Sequence, residues 1–382
     1  MTRKIKQYLY SRWLKPLWNL IKYGVLGVFH IWMGIKKIIR LFGIPAIIVD
    51  YHMHKRKDIK SIFISSFEAS SFKANPLFNN REDIPHFDHV VYIVPHWKLF
   101  GTYTIATQSN IILRDVSWRR NIGKWSNPYT YKLLPKKIEK IKITVGVLTG
   151  NDTDKNYHHW LITLISKYSI LKKSWIKIDK YIVDTNASFH KEWLKALGLS
   201  EDQIISADFQ KNYQFDNIVC TSDSTIYGNI QPWVKDLLWE TFIIPANKTP
   251  ANTKIYIKRI SNRKIANEQE FEDYISAQGF EIHSMEGLTI KKQAELFHQA
   301  SIIISPHGAG LTNIVFCRPG TKIIEIFHSQ TIFGHYYLMA GSLGMDYYPV
   351  LGKIKPDPKV IEMDQDIIVN IKDINTILEN FH

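Results

Sequence analysis

SIIISPHGAGLTNIVFCRPGTKIIEIF, residues 301–327, passes from an apolar run through a small-residue turn and a short apolar segment into a second apolar run. Short β-branched runs bounded by turn residues read as buried strands. Ser301–Ser305 and Lys322–Phe327 are therefore strands, Ala309–Phe316 is a short helix, and Pro319-Gly320 is a turn. Upstream, Thr289 caps a helix ending at Gln299, and Phe280–His283 is strand-like. Gly279 ends a helix that starts at Asn267, with Glu270 spaced for a capping box. Lys254–Lys258 is the strand before it. This β-α-β-α-β-α-β order belongs to a doubly wound parallel sheet.

The same alternation appears earlier. Ile143–Leu148, Tyr181–Asp184 and Asn217–Thr221 read as strands, with helices over Tyr157–Leu171 and Lys191–Leu197, the latter stopped by Gly198. A helix over Gln231–Phe242 is closed by Pro245, and the polar run 246–253 with its Pro250 is the expected domain boundary. Between residues 50 and 140 only Ser61–Phe67 and Val90–Pro95 look like strands. The expected fold is α/β, with two Rossmann-like lobes over 61–245 and 246–382 and an amphipathic helical extension over 1–60.

Charge is distributed unevenly along the 382 residues. The net charge is +14, but the first 60 residues carry thirteen Lys or Arg against Asp50 and Asp58 and so account for +11 of it. A body left with +3 has no basic groove for nucleic acid, and no nucleic-acid partner is expected. In the extension, Trp13, Trp18, Tyr23, Phe29 and Trp32 alternate with Lys22, Lys36, Lys37 and Arg40. The longest uncharged stretch, Tyr23–Ile35, has thirteen residues, short of the roughly 20 that span a bilayer. That pattern suits a helix lying on a membrane surface; a basic helix packed on the protein itself is the plainer alternative. Two cysteines, Cys220 and Cys317, support neither a disulfide framework nor a zinc site, and no metal site is expected.

Ligands of an open parallel sheet bind beyond the carboxyl ends of its strands. Three such ends meet in the second lobe. Lys258 ends one strand and Arg259 and Arg263 follow it, His307-Gly308-Ala309-Gly310-Leu311-Thr312-Asn313 follows another, and Glu325 lies near the end of the last. Small residues entering a helix let backbone N–H groups approach an anion, and arginine forks match phosphate oxygens. Glu325 either accepts from ribose hydroxyls or pairs with a neighbouring Lys or Arg. A nucleoside diphosphate is the ligand these three ends suit.

These residues resemble the family 61 glycosyltransferases, which include bacterial capsular polysaccharide enzymes and eukaryotic xylosyl- and N-acetylglucosaminyltransferases. The matching elements are Ser305–Asn313, Phe316, Pro319-Gly320-Thr321 and Ile324-Glu325-Ile326, then Tyr256–Arg259 with Asn267-Glu268, and Asn156–Leu161. The resemblance implies a GT-B architecture, inversion at the anomeric carbon, and no metal or other cofactor. It also implies a nucleotide-sugar donor, expected to be UDP-linked, in the second lobe, with Asn267 among the donor residues. The acceptor is then a glycan, lipid-linked if the extension holds the enzyme at the cytoplasmic face of the cell membrane. Thr163, Ser166 and Lys167 stand where the family usually shows Asp, then Pro-Arg. His159 is the expected base, with His158 and Asp152 as alternatives. Two rivals are another sugar-phosphate-handling transferase on a similar fold and a non-catalytic membrane scaffold of a polysaccharide assembly complex.

Overall fold

The computed structural model describes residues 47–49, 59–66, 75–78, 88–117, 134–135, 137–150, 153, 156–222, 228, 230–243, 251–330 and 332–381. The readings of residues 1–46, of Asp152 and of the boundary at 245–246 lie outside them.

Two sheets organise the chain. The first contains β1 (Ile47–Val49), β2 (Lys60–Ser66), β3 (Asp88–Pro95), β4 (Lys98–Phe100), β5 (Thr104–Ala106), β6 (Ile111–Leu113), β7 (Glu139–Val147), β8 (Lys180–Val183), β9 (Ile204–Ser206) and β10 (Asn212–Thr221). Its main path runs β1-β6-β5-β4-β10-β7-β8-β9, with β3 also paired to β10 and β2 to β3. The run β10-β7-β8-β9, which holds the strands read at Ile143–Leu148, Tyr181–Asp184 and Asn217–Thr221, is parallel. The other half is mostly antiparallel, joined by short connections between strands of three residues. Helices α1 (Tyr157–Lys173), α2 (Ser188–Ala196) and α3 (Pro232–Phe242) accompany this sheet.

The second sheet contains β11 (Thr253–Ile257), β12 (Phe280–His283), β13 (Ala300–Pro306), β14 (Lys322–His328), β15 (Asp346–Lys355) and β16 (Asp366–Ile368), in the order β12-β11-β13-β14-β15-β16. All its pairings are parallel except β15 with β16. Its helices are α4 (Glu268–Ala277), α5 (Ile290–Gln299), α6 (His335–Ser342) and α7 (Ile371–Glu379). Thr289 caps α5 as expected, accepting from the Lys292 N–H. Asn267 does not cap α4 through its side chain. Its Oδ1 instead accepts from the Val369 N–H at 2.9 Å and its Nδ2 donates to the Val369 carbonyl at 3.0 Å, tying α4 to the chain after β16. Residues Ala309–Phe316 wind as a 3-10 helix, and β15, β16, α6 and α7 lie beyond the part legible in the sequence.

Both alternations form because the helices bury apolar residues against the sheets, α1 on most of its circumference and α2 and α5 on one side. The largest core cluster is shared between the sheets. It takes Trp160, Leu164 and Ile165 from α1, Trp193 from α2 and Phe242 from α3, together with Phe297, Ile303, Leu311, Ile314, Val315, Phe316 and Cys317 of the second half. Trp193 stacks on Phe316 with centroids 6.0 Å apart, and Phe242 meets the same ring edge-on at 5.6 Å. On the far face of the second sheet, α4 and α7 bury Phe271, Ile275, Ile374 and Leu378. The far face of the first sheet carries a separate cluster around Trp97, Tyr213 and Phe215.

Candidate functional site

Strand order in the second sheet reverses between β11 and β13: the chain leaves β11 outward to β12, then returns to the other side of β11. Loops diverge at such a point, leaving a crevice at the strands' carboxyl ends. A cleft of about 160 Å³ lies there, lined by Lys258, Arg259, Ser305, Gly308, Ala309 and Gly310, with Met285 and Glu286 opposite.

The loop after β11 places Arg259 across the loop after β13. A Cβ on Gly308 would lie 1.6 Å from the Arg259 Nη1 and 2.8 Å from its Cζ, so only glycine allows this approach. The Arg259 Nε donates to the Asn262 carbonyl at 2.6 Å. Burial and the nearby Arg263 both lower the Arg259 pKa, with burial the larger cause. Among the described residues no carboxylate comes within ion-pair distance of Arg259, whereas Arg263 has Asp364 at 3.7 Å. Arg263 holds a left-handed backbone, φ 58°, with its N–H donating to the Asp364 carbonyl. Lys258 turns its ammonium to Glu272 at 2.9 Å and Glu268 at 3.6 Å on α4. That pairing, chiefly the Glu272 hydrogen bond, raises its pKa.

Behind the turn sits a buried pair. Glu325 is fully buried, and its Oε1 is 2.5 Å from the His307 Nδ1. The Tyr347 hydroxyl donates to the other oxygen. Neither sequence reading of Glu325 fits this: its partner is a histidine, and it has no exposed surface for a ribose. The carboxylate fixes the imidazole by its Nδ1, and the ring packs between Phe327 at 5.4 Å, Phe333 at 5.3 Å and Tyr336 at 5.5 Å.

The remainder of the motif faces inward. Leu311, Thr312 and Asn313 have no exposed surface. Asn313 accepts from the Tyr157 hydroxyl at 2.8 Å and donates to Gln293 at 2.7 Å. The Thr312 Oγ1 lies 3.0 Å from the His158 Nδ1 and 3.2 Å from the Tyr336 hydroxyl. These bonds join the start of α1 to the nucleus of the second sheet. They also connect two crevices, because α1 starts after β7, where the first sheet's own order reverses between β10 and β7.

His158 is buried, and burial, then the neighbouring His335, His159 and His307, push its pKa well down. It is a neutral ring within a cluster, 5.7 Å from His335 and 5.4 Å from His159. His159 is exposed in the first turn of α1, its N–H capped by the Asn156 Oδ1 at 3.2 Å. The sequence reading missed Tyr336 and Tyr347, which follow the last element it assigned, and Met285 and Glu286, whose types carry no motif. Among the described residues no group of three or more His, Cys, Asp or Glu is disposed to hold a metal ion.

Residues 157–324 match the family model described as Glycosyltransferase 61. A beta-1,2-xylosyltransferase of Oryza sativa subsp. japonica is 32% identical over 95 residues, 23% of this chain. A beta-1,2-xylosyltransferase of Arabidopsis thaliana is 35% identical over 75 residues, 19% of this chain. The matched stretches span 18% and 14% of those relatives' own lengths. The family match runs from the first residue of α1 to the middle of β14, and so takes in His158, His159, Arg259 and the turn at Gly308.

Proposed function

We propose that this chain, through its glycosyltransferase 61 region, moves a sugar from a nucleotide-sugar to a glycan acceptor, with inversion and without a metal ion. The observation that carries the donor half is Arg259. It is a desolvated guanidinium lying across Gly308 with no carboxylate in ion-pair contact among the described residues. An anion is what such a group lacks. The first N–H groups of the 3-10 helix after Gly308 add donors on the same side. A cleft of about 160 Å³ is smaller than the roughly 300–1,000 Å³ of a full small-molecule site, so it suits the diphosphate, with base and sugar along the open crevice.

In this reading the two sheets act as the two lobes of a GT-B enzyme. The acceptor oxygen attacks the anomeric carbon, the bond to the diphosphate oxygen breaks on the opposite face, and its electron pair leaves with the diphosphate. Arg259, Arg263 and the N–H groups at Ala309 and Gly310 offset that charge. His307, fixed by Glu325 at its Nδ1, lies at the start of the same turn and orients it. The acceptor's proton goes to His159, exposed on the opposite side and next to His158. His158 stays neutral and positions the start of α1 through Thr312. The donor is read as UDP-linked, and the acceptor as a cell-surface polysaccharide of capsular or lipopolysaccharide type, lipid-linked at the cytoplasmic face of the membrane.

The test is a panel of nucleotide-sugars assayed for glycosyl transfer and donor hydrolysis, with nucleotide binding followed by calorimetry. One donor should be consumed, and Arg259→Ala should weaken its binding tenfold or more. Tight binding without glycosyl transfer would favour a sugar-phosphate transferase. Absence of nucleotide binding would leave the scaffold reading.

A further inference from the structure

Among the described residues, four helices end on a residue with left-handed backbone. After α2, α4 and α6 that residue is glycine: Gly198 at φ 77°, Gly279 at φ 81° and Gly344 at φ 74°. After α1 it is Trp175 at φ 57°. Glycine is the usual occupant because a Cβ crowds the following carbonyl oxygen in that conformation. Trp175 bears that strain without packing to offset it, since it is 93% exposed, the most exposed large hydrophobic residue described. A strained, unburied tryptophan points to a use outside the fold.

Its surroundings indicate the partner. Lys172, Lys173 and Lys177 are exposed on either side of it. Lys172 lies over the Tyr168 ring and Lys173 over Trp233, each 5.7 Å from the centroid, so both stems lie on aromatic faces. Exposed Lys142 stands at the same edge, two residues before Thr144, which exchanges hydrogen bonds with Asp179. The one acid in the loop, Asp179, is engaged there, its carboxylate accepting from the Thr144 N–H at 2.8 Å. Ile176 and Ile178 turn toward the core, leaving the indole alone above the lysines. A protein interface would surround such an anchor with further apolar surface. A single exposed indole flanked along the chain by exposed lysines is instead suited to the headgroup region of an anionic bilayer, where tryptophan sits at the boundary and lysine meets lipid phosphate.

We propose that Trp175, with Lys142, Lys172, Lys173 and Lys177, docks this end of α1 on an anionic lipid surface. The contact is independent of the glycosyl-transfer reading and of residues 1–60. It holds the far end of α1, and with it His158, about 25 Å away along a helix of 17 residues.

The experiment uses the full chain carrying Lys177→Cys labelled with an environment-sensitive fluorophore. Cys220 and Cys317 are both buried, so the new thiol is the reactive one. With phosphatidylcholine vesicles about one-third anionic in phosphatidylglycerol, the emission should shift blue and brighten; with phosphatidylcholine alone it should not. Trp175→Gly in the labelled chain should abolish the shift while the melting temperature stays level or rises. Without the label, neutralising Lys172 or Lys173 to Gln should lower the vesicle partition coefficient about fivefold each. A chain that binds anionic vesicles with unchanged emission would overturn the proposal, since another segment would then be responsible. Emission indifferent to Trp175→Gly, or absence of vesicle binding, would overturn it too. A blue shift that follows protein concentration without lipid would assign the surface to a second copy, with the same consequence.

Discussion

The two sheets solve one problem differently. The second is parallel from β12 to β15, and the sequence marks its crossover helices α4 and α5 by the Gly279 stop and the Thr289 cap. The first is parallel from β10 to β9 and again where β1 meets β6, and between them β4, β5 and β6 are strands of three residues folded back on each other. Parallel strands need long crossovers, whereas antiparallel ones need only a turn. The difference extends to the site. The second sheet supplies backbone N–H groups and buried charge at a fixed crevice; the first supplies, through the start of α1, an exposed imidazole. Donor affinity and turnover are thus assigned to different halves, and that division can be attacked directly.

The largest expected effect is on turnover. His159→Ala should lower kcat by about 10²–10⁴-fold with nucleotide affinity unchanged. A variant with near wild-type turnover would remove His159 as base, and a weakened nucleotide dissociation constant would dissolve the division itself. The counterpart is Gly308→Ala, whose new Cβ displaces the Arg259 guanidinium. Losing a charge-assisted bond to phosphate should weaken nucleotide binding about 10- to 100-fold. Calorimetry showing no change would mean that Arg259 does not meet the ligand.

Acid should destabilise the fold through a group in the first half. His190 in α2 is buried, and burial pushes its pKa down to about 4. Its Nδ1 accepts the Ala187 N–H at 3.1 Å, a bond that only the unprotonated nitrogen can make. The unfolded chain protonates this ring near 6.5, so below that pH the unfolded state holds more protons than the folded one. The stabilisation is complete above about pH 6.5 and is lost as pH falls toward 4. His190 alone should remove about 2 kcal/mol between pH 7 and 5. Urea unfolding at the two pH values measures this; a slope no shallower in His190→Gln would discount the ring. The smallest effect is expected at the bond between the halves. Tyr157→Phe loses the hydroxyl bond to Asn313 and should cost about 1 kcal/mol, read as a drop of about 2 °C in Tm. An unchanged Tm would mean that this bond does not hold the halves together.

The contrast also explains what the sequence disclosed. Strands ending in Lys258, Ser305 and Phe327 were legible because each carries a full apolar run, and Arg259 and the turn at Gly308 because their place follows from those strands. Residues 98–113 form strands too short to show a period, and β4 takes its partner β10 from a part of the chain remote in sequence. Three-dimensional roles were less accessible than positions. Asn313 and Thr312 looked like ligand contacts, but their polarity serves the junction with Tyr157 and His158. Glu325 reads as a ribose acceptor or the partner of a Lys or Arg, yet it is buried between His307 and Tyr347, one strand over. Asn267 had the spacing of a cap, and its partner, Val369, is 102 residues away.

One consequence follows from the core that the two sheets share. Trp193, Phe242 and Phe316 belong to a single apolar mass, so no water-filled seam divides the halves there. Swinging one half against the other would tear those rings apart and expose them. Substrates should therefore enter and leave by rearrangement of side chains and loops at the rim, and the radius of gyration in solution should be the same with and without nucleotide. Scattering curves that contract on nucleotide addition would show a hinge where the packing forbids one. For the same reason the described body should melt in one calorimetric transition rather than two.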